Sequence, residues 1–273
     1  MEQCVNALIK ELETKILTEE IDSSYDLKLG IKVGVDLGTS NIVIVVLDRN
    51  DQPITGAMES AKVVRDGIVV DFIGAVKVLS GLKAQLEQRL GIQLEEAATA
   101  IPPGILPGNI KVITNVVEAA GFTVTNVVEE PVAAARVLAI SDGAVVDIGG
   151  GTTGISVLKN GEILYSVDEP TGGTHLTLVL SGSMKVEFDE AEKIKHQRES
   201  YPLVFPIVRP VLEKMAEITK RNIINDVKQI YLVGGTSCID GIEEVFQKHT
   251  SIYTIKPYNP LLVTPLGIAM YAK

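Results

Sequence analysis

The stretch VGVDLGTSNIVIVV (Val33–Val46) sets one carboxylate, Asp36, and a Gly38-Thr39-Ser40 turn between two runs of β-branched residues. VVDIGGGTTGISVL (Val145–Leu158) repeats the layout, with Asp147 just before Gly149-Gly150-Gly151. Branched runs on either side of a tight turn read as a β-hairpin. When the tip carries glycine and small hydroxyl residues, backbone N–H groups can approach an anion closely, because no Cβ keeps it away. A carboxylate at the end of the incoming strand suits a hydrated divalent cation bridging phosphate oxygens. One such turn alone reads as a capped turn; two copies in one chain read as a two-sided phosphate clamp.

At 273 residues the chain is long enough for roughly one or two domains. It is 46% hydrophobic and 22% charged, without tryptophan, the balance of a folded α/β protein rather than a disordered one. A net charge of −10 argues against nucleic acid or an anionic membrane as partner, since both require a basic footprint. A local phosphate site is still compatible with that charge if backbone amides and a metal ion neutralise the ligand. Cys4 and Cys238 are the only cysteines, too few for a disulfide framework, a four-cysteine zinc site or a cysteine-held iron–sulfur cluster. A reducing cytoplasm is the simplest setting. No apolar run reaches membrane-spanning length, and the N-terminus alternates charged and apolar residues, so a soluble, unexported protein is expected.

Val5, Leu8, Ile9, Leu12, Ile16 and Leu17 recur at helical spacing, with Lys10, Glu11, Glu13 and Lys15 between them. The polar TEEIDSSYDLK (Thr18–Lys28) then reads as a linker, so residues 1–30 form an appendage. Its apolar stripe suits either its own domain or a groove on a partner protein. From Ile31 the pattern predicts a three-stranded meander with turns at Gly38–Ser40 and Asp48–Pro53. Gly74–Leu90 reads as a helix, Ala97–Pro103 as a short strand, Asn109–Gly121 as a helix closed by glycine, and Phe122–Val128 as a strand. Glu129–Ile140 is alanine-rich with Pro131 placed early, which predicts a linking helix. A second meander follows, through Val145–Ile148, Ile155–Leu158 and Glu162–Val167, its last turn at Asn160-Gly161. Helical patterns run from Gly172 to about Asn222, Gln229–Gly235 reads as a buried strand and Thr264–Ala272 as a closing helix. The repeat divides the chain into half-domains at 31–142, joined by the C-terminal helix 258–273, and at 143–257.

Four further segments follow in order: VVEEPVAAA (Val127–Ala135), GGTH (Gly172–His175), AEKIK (Ala191–Lys195) and LVGGTSCIDGI (Leu232–Ile242). With the two glycine hairpins they resemble the motifs of the actin-like ATPase superfamily, which includes DnaK-type chaperones, MreB, FtsA, PilM and several kinases. Within it, the resemblance extends to the EutJ family of bacterial ethanolamine utilisation. It covers the chain from about Ile31 to the end.

The resemblance implies a duplicated RNase H-like α/β fold with two half-domains around a nucleotide cleft. It implies ATP or ADP with Mg²⁺ as cofactors, with Asp36 and Asp147 as metal-organising catalytic residues. Gly38, Thr39, Ser40 and Asn41 would meet the β- and γ-phosphates. Gly149, Gly150, Gly151, Thr152 and Thr153 would cradle them from the other side, followed by Gly172, Gly173 and Thr174. Glu130 would position the attacking water, a task suited to a carboxylate acceptor. Gly234, Gly235 and Thr236 would pass under the nucleoside, and Glu192 and Lys195 would reach the ribose. His175 reads as a turn residue and Cys238 as a packing residue, since neither has partners at ligand spacing. Two departures stand out. Gly154 occupies the place of an acidic residue of DnaK. The stretches before Arg65–Phe72 and between Ala191–Lys195 and Ile218–Asn222 are too short for the outer subdomains of DnaK and MreB, so both are expected to be reduced or absent, and DnaK's catalytic lysine has no counterpart.

These features imply a nucleotide-dependent chaperone or assembly factor with slow hydrolysis, acting with an ethanolamine-utilisation enzyme or microcompartment protein. Its place would be the cytoplasm or that microcompartment. The alternative is an adaptor of the PilM or FtsA kind, whose bound nucleotide sets a conformation without turnover. A small-molecule kinase would need a separate acidic base that the sequence does not offer, and an iron–sulfur activator more cysteines. An oligomer is compatible with these features.

Overall fold

The branched runs that flank Asp36 become strands because such side chains pack well on a pleated surface. The structure is a computed structural model that describes residues 2–19, 30–65, 67–223 and 226–273. It forms two units, the first Met1–Ile140 with Pro257–Lys273 and the second Ser141–Lys256.

In the first unit, α1 (Glu2–Thr18) precedes β1 (Ile31–Leu37), β2 (Asn41–Asp48) and β3 (Pro53–Ser60). These strands form an antiparallel meander in which Ile31 pairs with Asp48 and Leu37 with Ile42. Among the described residues, the regular structure between β3 and α2 (Phe72–Leu90) is the short pair β4 (Val64–Arg65) and β5 (Ile68–Val69). Helix α2 starts on Asp71, whose side chain accepts from Gly74 N at 2.9 Å, and stops at Gly91 in the left-handed region. Its Ala75, Leu79, Leu82, Leu86 and Leu90, three or four residues apart, make the buried stripe. β6 (Glu96–Ile101), α3 (Pro107–Ala119), β7 (Thr123–Glu129) and α4 (Glu130–Leu138) follow, giving the sheet order β3-β2-β1-β6-β7 with parallel pairing at β1–β6 and β6–β7.

The second unit repeats this plan. β8 (Gly143–Ile148), β9 (Thr153–Lys159) and β10 (Glu162–Glu169) form the meander. Asn160 and Gly161 both take positive φ, as a two-residue hairpin with a right-handed twist requires. The long helical run resolves into α5 (Gly173–Met184), α6 (Phe188–His196), a 3₁₀ turn at Arg198–Ser200 and α7 (Tyr201–Asn222). β11 (Gln229–Val233), a 3₁₀ turn at Gly235–Cys238, α8 (Ile242–Thr250) and β12 (Tyr253–Ile255) close the sheet as β10-β9-β8-β11-β12. Helix α8 and strand β12 lie in a stretch to which the sequence pattern assigned nothing. The strand expected through Gly235 ends at Val233, because Gly234 turns the backbone to φ +86°.

Helix α9 (Val263–Met270) returns to the first unit and packs on β1 and α4. A Cβ on Gly267 would stand 2.0 Å from the Ala133 carbonyl oxygen, so only glycine lets α9 lie this close to α4.

Helix α1 corrects the expectation of an appendage. Ile9 and Leu12 are fully buried, and Ile16 lies against Gly56 of β3. Asn6 Oδ1 accepts from Tyr258 N at 2.8 Å, and Asn259 Nδ2 donates to Glu13 Oε1 at 2.8 Å. The apolar stripe is therefore occupied by its own unit and is not presented to a partner's groove. Leu17, counted in that stripe, is 75% exposed. Of the linker expected at Thr18–Lys28, residues 20–28 lie outside the described residues. No described helix is long and apolar enough to cross a membrane.

Candidate functional site

In the second unit Asp147 sits half-buried at the penultimate position of β8, opposite Gly154 on β9 and Val233 on β11. The chain then turns through Gly149–Thr152, closed by Gly149 N donating to Thr152 O at 3.0 Å. Two other motif segments hold this turn from one side. Gly173 N donates to Gly149 O at 2.9 Å, Thr236 Oγ1 donates to the same oxygen at 2.8 Å, and Thr174 N donates to Gly150 O at 2.8 Å. A planar trans peptide sends its carbonyl and the following N–H in opposite directions. With the Gly149 and Gly150 carbonyls fixed toward α5 and Thr236, the N–H groups of Gly150 and Gly151 face together to the other side. That pair of amides, with no Cβ at residues 149–151, forms a nest suited to a phosphate oxygen.

The approach is too close for side chains. A Cβ on Gly172 would stand 2.6 Å from Gly151 C and 2.7 Å from Gly150 O, and one on Gly234 would stand 2.3 Å from Asp147 Oδ1. Glycine at 234 thus lets the Gly234–Thr236 segment abut the Asp147 carboxylate, and its φ of +86° is one that other residues rarely adopt. Thr153 Oγ1 donates to Thr171 O at 2.6 Å, and Gly172 N donates to His175 Nδ1 at 3.3 Å, which gives His175 the turn role expected for it.

Behind Gly173 lies a charged pair. Lys195, 7% exposed, donates to Glu192 Oε1 and Oε2 at 2.8 Å each, to Thr177 Oγ1 at 2.9 Å and to Gly173 O at 3.3 Å. Thr177 Oγ1 also bonds Glu192 Oε2 and lies 3.1 Å from Gly173 O. Burial pushes the Glu192 carboxyl up, but the His196 hydrogen bond, the Lys195 charge and the Lys195 and Thr177 hydrogen bonds outweigh it and hold it at about 2. Burial pushes the Lys195 ammonium below the ordinary lysine value, with Glu192 opposing. The structure therefore brings together Asp147, Gly149–Thr153, Gly172–Thr174, Gly234–Thr236, Glu192 and Lys195.

Two neighbours escaped the sequence reading. Thr177 lies one helical turn after Gly173, and only the fold brings residues 192 and 195 to it. Asp168 lies opposite Gly154, with its Oδ1 3.7 Å from where a Gly154 Cβ would stand. An unbroken register from the Lys159–Glu162 pair would place Val167 there. A bulge between Ile163 and Tyr165 shifts the pairing by one and turns Asp168 to the Asp147 face, next to the position where the acidic side chain is missing.

The first unit carries the same device. Asp36, half-buried near the end of β1, pairs with Val43, and the chain turns through Gly38–Ser40 into Asn41. Ala61 N donates to Ser40 O at 3.1 Å, and Ser60 Oγ donates to Asn41 Oδ1 at 3.0 Å, so the end of β3 braces the turn. Glu130 opens α4, directly after the last residue of β7, and is half-buried.

Two five-stranded sheets of one order, each with an Asp-containing glycine or small-residue hairpin, define a protein of the actin-like ATPase fold class. A solved structure titled MreB 5 of Spiroplasma citri bound to AMPPNP matches at a TM-score of 0.71 and 16% identity, over 87% of this chain and 94% of that one, and supports the fold alone. The family model described as "Type IV pilus assembly protein PilM" matches residues 108–264. The ethanolamine utilization protein EutJ of Salmonella typhimurium is 44% identical over 239 residues, 87% of this chain and 84% of that protein. The crystal structure of the ethanolamine utilization protein EutJ from Carboxydothermus hydrogenoformans superposes with a TM-score of 0.94 at 46% identity, covering 99% of both chains. The chain belongs to the EutJ family and, through the match of residues 108–264, to the wider family that the PilM model describes.

Proposed function

We propose that this protein binds Mg·ATP or Mg·ADP, turns ATP over slowly, and uses its nucleotide state as a chaperone or assembly factor in ethanolamine utilisation. The observation that carries the reading is the glycine turn at 149–152, whose carbonyls are fixed to one side so that the Gly150 and Gly151 amides face the other. Phosphate oxygens fit this nest, and Asp147 beside it is a hard oxygen donor of the kind Mg²⁺ takes one or two of while keeping several waters. Mg²⁺ would neutralise phosphate charge, which a chain of net charge −10 otherwise supplies poorly. Asp147 would hold the hydrated ion, the Gly150 and Gly151 amides would bind and orient the phosphate, and Gly234 and Gly235 would accept the nucleoside; in the first unit, Glu130 would position the attacking water. The first unit's Asp36 and Gly38–Asn41 repeat the phosphate device.

The client is an ethanolamine-utilisation enzyme or a microcompartment protein; membership of the EutJ family supports this. The match of residues 108–264 to the PilM model and the short β4–β5 connection support a second reading, an adaptor that binds nucleotide without turnover. Calorimetric titration with ATP and ADP, with and without Mg²⁺, followed by a steady-state phosphate-release assay, separates the two. Binding with turnover supports the first reading, binding without turnover the second, and no binding of either nucleotide refutes both. Co-purification of the tagged chain with ethanolamine-utilisation proteins, or its failure, decides the client.

A further inference from the structure

We infer that Thr177, Glu192 and Lys195 form an internal strut that positions the phosphate turn, rather than a set of contacts to the nucleotide's sugar. This rests on the nucleotide reading above. Lys195 is almost wholly buried, and its ammonium is directed at groups of its own unit: both Glu192 oxygens, the Thr177 hydroxyl and the Gly173 carbonyl. An ammonium has three protons to donate, and these four acceptors occupy them.

The strut ends on Gly173, the residue whose N–H fixes the Gly149 carbonyl. The peptide that follows Gly173 supplies the Thr174 N–H, which fixes the Gly150 carbonyl at 2.8 Å. Lys195 and Thr177 both lie at the Gly173 oxygen, at 3.3 and 3.1 Å, so they orient the Gly173–Thr174 peptide directly. Because that peptide is planar and trans, a fixed oxygen also fixes the direction of the Thr174 N–H. The chain of cause runs from buried Lys195 and its half-buried partner Glu192 to one carbonyl, to one amide, to the Gly150 carbonyl, and so to the Gly151 N–H in the nest. A Cβ on Gly173 would stand 2.5 Å from Thr236 Oγ1 and 3.5 Å from Lys195 Nζ, so the strut, the turn and the nucleoside motif are packed without slack. Thr177, Glu192 and Lys195 are thus positioning residues.

The test uses the full chain in four forms: wild type, Glu192→Gln/Lys195→Met, which leaves the net charge unchanged, Thr177→Val, and Thr177→Ser as its conservative counterpart. Three readouts apply: melting temperature, amide exchange at residues 173–174, and calorimetric affinity for Mg·ATP and for Mg·tripolyphosphate, which has no sugar or base. The strut predicts faster exchange at 173–174 in the double variant and in Thr177→Val. It also predicts an equal loss, about tenfold, for both ligands, with Thr177→Ser close to wild type. Weakened ATP binding with unchanged tripolyphosphate binding would assign the pair to the sugar and overturn the inference; unchanged exchange at 173–174 would overturn it too. If the double variant does not fold, Thr177→Val decides by the same readouts. If wild type binds neither ligand, the nucleotide reading fails; faster exchange in the variants would then still support the strut, and unchanged exchange would refute it.

Discussion

At the scale of single residues, charge and hydrogen bonding in the second unit make a prediction about acid stability. The Glu192 carboxyl is held at about 2, below its value of 4.5 in an unfolded chain. A group whose folded value is depressed contributes stability that is complete above the unfolded value and disappears as pH falls through the folded one. The Glu192→Gln variant should therefore be less stable than wild type at pH 5 and above, and the difference should shrink between about pH 4.5 and about pH 2. Urea melts across that range check it, and two parallel stability curves would refute it. The motif Ala191–Lys195 was legible in the sequence, but its tertiary partners were not. Spacing places Glu192 and Lys195 on neighbouring turns of one helix, whereas the Thr177 hydroxyl and the Gly173 carbonyl reach them only through tertiary packing. Asp168 was hidden for a different reason. A single extra residue in β10 moves it to the other face of the sheet, and nothing in the pattern Glu162–Val167 announces a bulge.

At the scale of elements, the strands and helices that carry the site follow from local signals: branched runs, Asn160-Gly161, the Asp71 cap and Pro131 at the start of α4. What local signals did not give is where an amphipathic face goes. The stripe on α1 was read correctly as apolar, yet periodicity says only that a face is to be covered, not by what. The structure answers with β3 and the segment around Tyr258 and Asn259. Truncating Ile9 or Leu12 to alanine should cost about 2–4 kcal/mol each, the range for removing a fully buried aliphatic side chain. The variants should still bind nucleotide as wild type does. Chemical denaturation measures the first and calorimetry the second; a stability change within about 0.5 kcal/mol would return α1 to the status of an appendage. Helix α8 and strand β12 went unread because their run is short and mixed, and β12 has only three residues.

At the scale of the whole molecule, duplication was the most legible feature. Two hairpins with one layout anticipated two sheets of one strand order, and the structure has β3-β2-β1-β6-β7 in one unit and β10-β9-β8-β11-β12 in the other. The reduced connection between β3 and α2 makes a second expectation specific. With little chain available there to exclude water from a bound nucleotide, turnover should be slow, and it should fall further in Glu130→Gln, which keeps the shape of the side chain but positions a water poorly. A Glu130→Gln variant as active as wild type would refute that role.

If the carboxylates preceding the glycine turns organise a metal for a bound polyphosphate, calorimetric titration of the purified protein and its Asp147→Ala variant with ATP, in Mg²⁺ and in EDTA, will register it. Mg²⁺-dependent binding by wild type is expected, with a loss of about tenfold or more in the variant confined to the Mg²⁺ condition; equal affinity of the two proteins in Mg²⁺, or no binding by wild type, would refute a metal-organising role for Asp147.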